Sequence, residues 1–208
     1  MHSEPEISPT SKVQHIWCSA AITKKMEDVF TAFINNQAQR GEDISEYVVY
    51  LATLGGSPFS AITLYNFIKA IPQNTIIFNM GVVASAGVPF YLGFHRRIGV
   101  PDCSFMIHQT TLPRDSLPEQ FNVFDLDIQK ASLLATDKKT QEIIRKETTG
   151  RGTSSLTSAA IKRAFLIAKT YTAAESLKYG FIENIEIPKL PETGVLYITD
   201  QYLATLPG

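Results

Sequence analysis

The sequence predicts an α/β domain in which short strands and helices alternate along the chain. Residues 47–53 (YVVYLAT) are β-branched and aromatic, as in a buried strand, and a helix opened by Ser57 and Pro58 follows directly. A second apolar run at 75–80 leads through small residues into another helix. Several units have the order strand–strand–helix, so we expect a spiral of β-β-α units.

The composition is that of an ordinary globular protein and argues against several functional classes. The chain has 208 residues, of which 44% are apolar and 19% charged, and its net charge of −1 gives no reason to expect nucleic acid or a membrane as partner. Cys18 and Cys103 lack the spacing of a disulfide framework or a zinc site, so we expect two buried thiols and no cofactor. No long apolar run is present, and a cytoplasmic location is the default expectation.

The chain predicts one domain with a long helix. Residues 1–12 are polar and contain two prolines, which predicts a disordered arm before a single domain at 13–208. Residues 121–147 lack Gly and Pro, and their apolar positions step by threes and fours, so we expect a helix of roughly 40 Å that protrudes or supports assembly. The other predicted elements are strands at 13–20, 97–100, 104–107 and 181–187, helices at 23–39 (with Thr23 as N-cap), 155–164 and 173–179, and a weakly patterned tail from Pro188.

Three features of the sequence have the residue types of an acyl-transfer site. Gly55 and Gly56 lie between a strand and a helix, where free backbone N–H groups can hold an oxyanion, although a plain tight turn gives the same pattern. Ser85 lies among small residues at a strand-to-helix turn, where it is either a nucleophile or a helix cap. His108 ends an apolar strand, where it is either a base for a serine hydroxyl or a structural histidine.

Taken together, these motifs resemble one known family. Gly-Gly-Ser at 55–57, Ala-Ser-Ala-Gly at 84–87 and Met-Ile-His-Gln at 106–109 are similar in order and spacing to the proteolytic subunit of the Clp proteases. The resemblance spans residues 13–187 and includes the segment 171–185 (YTAAESLKYGFIENI). It implies the ClpP/crotonase-like fold and a serine endopeptidase.

The resemblance also implies roles for individual residues and for partners. Ser85 is expected to be the nucleophile, His108 the general base, and the N–H groups of Gly56 and Ala86 the oxyanion donors. The helix at 121–147 corresponds to the handle helix that joins two rings in this family. A peptide or unfolded protein is the expected substrate and pairs with the segment after His108 by strand addition. The expected assembly is a homo-oligomeric ring, a heptamer or double heptamer, with an AAA+ unfoldase as possible partner and no cofactor.

The sequence departs from the family where the third catalytic residue, an aspartate, is expected. The alignment of 171–175 puts Ala168 there, and residues 148–174 contain no Asp or Glu. The alternatives are a Ser-His dyad, an orienting bond from Thr170, Asp125 or Asp127, and an inactive or engineered family member. Since both Ser85 and His108 are present, we favour a hydrolase that is weakened or in which another group supports His108.

Two further departures affect the expected partners. Thr110 stands where the family usually has Pro, which changes the substrate groove. The N-terminal arm does not resemble the family's axial loop, so docking to a hexameric ATPase is in question, as is ring pairing. Three other functions stay open: a non-catalytic subunit of a mixed ring, a crotonase-type acyl-CoA enzyme, for which no adenine-binding surface is evident, and a Ser-Lys peptidase, for which no lysine is placed.

Overall fold

The fold is an eight-stranded sheet with helices packed against it, and the computed structural model describes residues 12–111 and 122–207. Its central path has the order β6-β5-β3-β2-β1-β8, with β4 beside β3 and β7 beside β4. The strands are β1 (Lys12–Ser19), β2 (Ile44–Thr53), β3 (Asn74–Ala84), β4 (Arg96–Gly99), β5 (Ser104–Met106), β6 (Thr170–Thr172), β7 (Asn184–Ile185) and β8 (Val195–Thr199). The helices are α1 (Lys24–Gln39), α2 (Pro58–Ala70), α3 (Gly87–Leu92), α4 (Val123–Thr148), α5 (Ser158–Leu166), α6 (Ala173–Lys178) and α7 (Asp200–Thr205).

The predicted α/β class is confirmed, and the first two helices begin at the N-cap residues that the sequence predicts. The Thr23 side chain accepts the N–H of Met26 and caps α1, and Ser57 accepts the N–H of Ser60 and caps α2. β1, β2 and β3 are parallel neighbours joined by these helices. All the carboxyl ends of these strands therefore lie at one edge of the sheet.

β3 is longer than the predicted strand at 75–80, and it pairs with two different strands along its length. Its first half, Ile76–Asn79, is parallel to β4, and its end, Val82–Ala84, is parallel to β5. Between these halves β2 advances two residues while β3 advances four, which is a bulge. The buried Asn79 holds this point, since its amide donates to the Ser104 carbonyl (2.9 Å) and accepts from the Gly81 N–H (3.0 Å).

The end of the chain differs from the sequence-based expectation. β7 covers two residues instead of the predicted 181–187, because Phe181 and Ile182 are side chains of the core rather than members of a ladder. The tail, for which the pattern predicted little, forms β8 and α7, and β8 extends the sheet beside β1. The predicted arm at 1–12 lies outside the described residues except for Lys12, which opens β1.

The long helix α4 projects from the body over its first half. It covers nearly the predicted span, with Phe121 outside the described residues. Its buried positions begin only at Thr136 and recur every three or four residues to Thr148, whereas Phe124 is 71% exposed. None of the described helices has the length and apolar content needed to cross a membrane. Both cysteines are free and buried, as predicted.

A buried polar network fixes the end of α4 to the body. Arg97 is fully buried and its Nη2 donates to the carbonyls of Glu147 (2.8 Å) and Gly180 (3.2 Å). Burial lowers the pKa of Arg97 to about 10, so the guanidinium stays charged at neutral pH. The Glu147 carboxylate accepts from the Tyr65 hydroxyl (2.7 Å) and from Lys69 Nζ (2.9 Å). Helix α4 therefore leaves the domain from a fixed base.

Glu147→Gln tests this network through its pH dependence. Burial alone would raise the pKa of Glu147, but bonds from Tyr65 and Lys69 outweigh it and lower the pKa below its ordinary value of 4.5. The stabilisation is thus complete above about pH 4.5 and is lost as the pH falls through the lowered folded pKa. We expect Glu147→Gln to reduce the free energy of unfolding by about 1–3 kcal/mol at pH 7, and the difference to shrink below pH 4, in urea titrations. Glu142→Gln, on the exposed side of the same helix, is the control, and a difference independent of pH would contradict the account.

Candidate active site

Ser85 is the first residue after β3 and has a strained backbone. Its φ is +53°, a left-handed conformation that costs a residue with a Cβ roughly 1–2 kcal/mol. Two bonds hold it there: the Ser85 N–H donates to the Met106 carbonyl (2.7 Å), and the Ser85 carbonyl accepts the Val88 N–H (3.0 Å). Ala86, not Ser85, is the N-cap of α3, and no side chain caps this helix. The Ser85 hydroxyl is therefore not used as a cap.

The Gly55–Gly56 turn lies directly against Ser85. A Cβ on Gly55 would come within 2.6 Å of the Ser85 Cβ and 2.8 Å of the Ala84 carbonyl oxygen. The turn is paired with Ile22, which donates to the Gly55 carbonyl (2.8 Å) and accepts from the Ser57 N–H (2.6 Å). The parallel bridge between Ile22 and Gly56 uses the Gly55 carbonyl and the Ser57 N–H, so the N–H of Gly56 takes no part in it.

His108 follows β5 and has a defined imidazole contact. Its Nδ1 lies 2.6 Å from the carbonyl oxygen of Gln109. A carbonyl oxygen only accepts, so Nδ1 carries the proton of this bond and Nε2 is left with its lone pair when the ring is neutral. This is the tautomer that a general base for a serine hydroxyl needs.

The predicted site residues line one cavity. Ser85, His108, Gly56 and Ala86 surround a cavity of about 50 Å³. It lies beside a groove of about 730 Å³ that also contacts Ser85, His108 and Gly56 and is bordered by α4. Within residues 12–111 and 122–207, no hydrogen bond joins the Ser85 hydroxyl to His108. Over the same residues, no group of three or more His, Cys, Asp or Glu side chains is placed to hold a metal ion.

Ala168, the predicted position of the acid, lies two residues before β6, whose ladder with β5 runs toward His108. β5 and β6 are antiparallel with Met106 opposite Thr170, and the ladder continues with the Ile107 N–H donating to the Lys169 carbonyl (3.0 Å). The next pair in this register is His108 with Ala168. Ala168 is exposed, and its φ of +51° is again left-handed.

The proposed substitutes for the acid have no recorded contact with His108 in the described part of the chain. Asp125 forms a capping box with Asn122 at the start of α4. Thr170 faces Met106 across the ladder, and no bond from Asp127 is recorded. Glu175, the next acid after Ala168, accepts from Lys169 Nζ (2.8 Å) and from the Thr172 N–H (3.0 Å). The recorded partner of the imidazole is the Gln109 carbonyl.

Asp137 is a buried residue beside the candidate site that the sequence did not single out. It lies on α4, is only 6% exposed, and its Oδ1 accepts the N–H of Thr110 at 2.8 Å. The two residues are 27 positions apart and sit in segments whose contact no local pattern predicts. In the structure, Asp137 lies among the buried positions of α4 that begin at Thr136, whereas the apolar pattern of the sequence marks the exposed first half of the helix.

Three features define the class of protein: the sheet, the long helix, and a cavity between a serine at a strand end and a histidine. They are the features of proteins with the ClpP-like fold. The sequence model of the Clp protease family matches residues 6–188, and the chain belongs to this family. A curated relative, the ATP-dependent Clp protease proteolytic subunit 3 of Rhodococcus jostii (strain RHA1), is 27% identical over 142 residues. That match covers 67% of this chain and 65% of the relative's length, slightly less than two thirds.

A solved structure agrees with this assignment of the fold. A mutant of ClpP1 from Listeria monocytogenes superposes with a TM-score of 0.70 and 16% sequence identity. The match covers 85% of this chain and 92% of that one. At this level of identity, the likeness shows the fold alone.

Gly55→Ala tests whether the glycine turn fixes the position of Ser85. Gly41→Ala is the matched control, because Gly41 also has a positive φ (+67°) but has open space around a built Cβ. We expect the control to lower the free energy of unfolding by about 1 kcal/mol and Gly55→Ala by more than about 2 kcal/mol, since it adds a collision with backbone atoms. Thermal or urea unfolding measures both, and equal losses would contradict the steric account.

Proposed function

We propose that the chain is a serine-type endopeptidase that cleaves peptide bonds with Ser85 as nucleophile and His108 as general base. The observation that carries this proposal is that Ser85, His108, Gly56 and Ala86 line one cavity. The Clp protease family assignment supports peptide hydrolysis as the activity. The crotonase-type and Ser-Lys alternatives have no comparable support from the site.

In the proposed reaction, His108 Nε2 takes the proton of the Ser85 hydroxyl while Oγ attacks the peptide carbonyl carbon. The negative charge moves to the carbonyl oxygen, where the N–H groups of Gly56 and Ala86 would donate to it. The protonated imidazole then gives its proton to the leaving amine as the C–N bond breaks. A water molecule hydrolyses the acyl-serine by the same steps and restores Ser85.

The absence of an acid at 168 makes this a Ser-His dyad with a backbone carbonyl behind the imidazole. In a serine protease, loss of the triad aspartate lowers turnover about 10⁴-fold, largely because the wrong tautomer results. Here the Gln109 carbonyl favours the correct tautomer of His108. A neutral carbonyl stabilises an imidazolium less than a carboxylate does. We therefore expect a turnover between that of a protease with its triad aspartate and that of one that has lost it.

We also propose that the chain assembles into a ring, a heptamer or double heptamer, that encloses its substrate. The first half of α4 supports this idea because it exposes large apolar side chains that a monomer would leave in water, namely Val123, Phe124, Leu126, Ile128 and Leu134. The groove of about 730 Å³ beside Ser85 has the volume of a typical ligand site, which supports an extended peptide or a segment of unfolded chain as the substrate. An AAA+ unfoldase is the partner that would feed such a chamber.

A fluorophosphonate probe tests the nucleophile. We expect covalent labelling of the wild-type chain at Ser85, loss of labelling in Ser85→Ala, and a fall of at least about 100-fold in labelling rate in His108→Ala. Ser132→Ala is the matched control, because Ser132 lies in the same groove on α4. Mass spectrometry locates the adduct, and labelling that persists in Ser85→Ala would refute the assignment.

Ala168→Asp tests the missing acid. A carboxylate opposite His108 would stabilise the imidazolium, so we expect the labelling rate to rise at least about tenfold. Ala168→Asn is the control: Asn and Asp both tolerate a left-handed backbone, so both variants should stabilise the fold by roughly 0.5–1 kcal/mol, but only Asp should raise the rate. Equal rates in the two variants would mean that position 168 does not act on His108.

A second function is favoured by Ala168 itself: a non-catalytic subunit of a mixed ring. The same experiments separate it from the peptidase. It predicts no labelling of the wild-type chain at any assembly state, together with co-purification of an active family member.

A further inference from the structure

A buried carboxylate joins the long helix to the segment that carries His108. Asp137 lies one residue beyond Thr136, the first buried position of α4, where the helix leaves the body of the domain. Its Oδ1 accepts the backbone N–H of Thr110 at 2.8 Å. The bond therefore links two segments at the border of the candidate groove.

The environment of Asp137 makes this bond energetically important. The residue is 6% exposed, and within residues 12–111 and 122–207 no Lys, Arg or His forms a salt bridge with it. A buried carboxylate depends on hydrogen-bond donors to offset its lost hydration. The recorded donor to Asp137 is the Thr110 N–H.

The donor is a backbone N–H, which any residue except proline would supply at position 110. In this chain the position carries a backbone donor, and Asp137 binds it. The Thr110 N–H and the Asp137 carboxylate thus satisfy each other as hydrogen-bond donor and acceptor.

Two backbone anchors consequently hold the residues around His108. On one side the Ile107 N–H donates to the Lys169 carbonyl (3.0 Å), and on the other the Thr110 N–H donates to Asp137. His108 and Gln109 lie between these anchors. Gln109 in turn supplies the carbonyl that accepts from His108 Nδ1.

We infer that Asp137 is a positioning residue, which holds the His108–Thr111 segment against α4 and so keeps the Gln109 carbonyl behind the imidazole. It acts through the backbone of Thr110 and does not touch the reacting atoms. The inference rests on the proposed function for the role of His108, but the attachment of the segment to α4 is independent of any activity.

Hydrogen–deuterium exchange of the peptide that covers 107–111 tests the attachment in the full-length chain. In Asp137→Leu, which keeps the side-chain size but removes the acceptor, we expect the Thr110 amide to exchange about tenfold faster or more. Glu142→Leu removes an exposed carboxylate from the same helix and should leave this exchange unchanged. Asp137→Asn keeps an acceptor oxygen and should preserve most of the protection.

The labelling rate at Ser85 tests positioning. We expect Asp137→Leu to lower the maximal rate of probe labelling about tenfold or more with little change in the probe concentration at half-maximal rate, and Asp137→Asn to restore most of it. In a Thr110→Pro background the N–H is gone, so Asp137→Leu should have a much smaller effect on the rate than in the wild-type background. Circular dichroism and a melting curve confirm that each variant is folded at the assay temperature.

The two arms have distinct outcomes. Unchanged exchange in Asp137→Leu overturns the inference, as does faster exchange with an unchanged labelling rate or equal effects of Asp137→Leu in both backgrounds. If the wild-type chain is not labelled at all, the proposed function fails, while the exchange arm still decides whether Asp137 holds the segment.

Discussion

The hydrogen bond from the Ser85 N–H to the Met106 carbonyl is the contact on which the geometry of the candidate site depends. It adds one more rung to the short β3–β5 ladder, so the residue that leaves β3 is tied to the strand that ends just before His108. The bond forms only because β3 bulges at Asn79 and changes partner from β4 to β5. The backbone ladder thus sets the positions of Ser85 and His108, which are 23 residues apart in sequence. The same ladder holds Ser85 in its strained left-handed conformation.

Features encoded within a few residues could be predicted from the sequence, while features made by distant pairing could not. The caps at Thr23 and Ser57 act over three residues, and both predictions are confirmed. The extension of β3 beyond Met80 was missed because Gly81 reads as a break, whereas the side chain of Asn79 holds the bulge by binding Ser104 from another strand. β8 was missed because the strand that it pairs with, β1, lies at the other end of the chain.

The candidate site also combines local features that the sequence predicts with long-range contacts that it does not. The motifs around Gly56, Ser85 and His108 are short, and they line one cavity, although their chemical roles stay a proposal. The resemblance also assigned the expected acid to Ala168, which stays a prediction, since the β5–β6 ladder ends at Met106 and Thr170, two residues short of His108 and Ala168. The Thr110–Asp137 bond was beyond sequence reasoning, because an aspartate in the middle of a charged helix predicts a solvated side chain unless the neighbouring segment is known.

Ala168 and Asp137 show that backbone position and side-chain chemistry are separate requirements at this site. Ala168 has a left-handed backbone, a conformation that Asp or Asn would adopt at lower cost than alanine does. The segment after His108 needs no acid at 168 to stay in place, because Lys169 and Asp137 hold its backbone from two sides. Under the proposed function, alanine at 168 leaves the imidazole without a neighbouring carboxylate. Such a change would act on the stability of the imidazolium in the transition state and not on the binding of a peptide in the groove, so we expect it to lower turnover far more than substrate affinity.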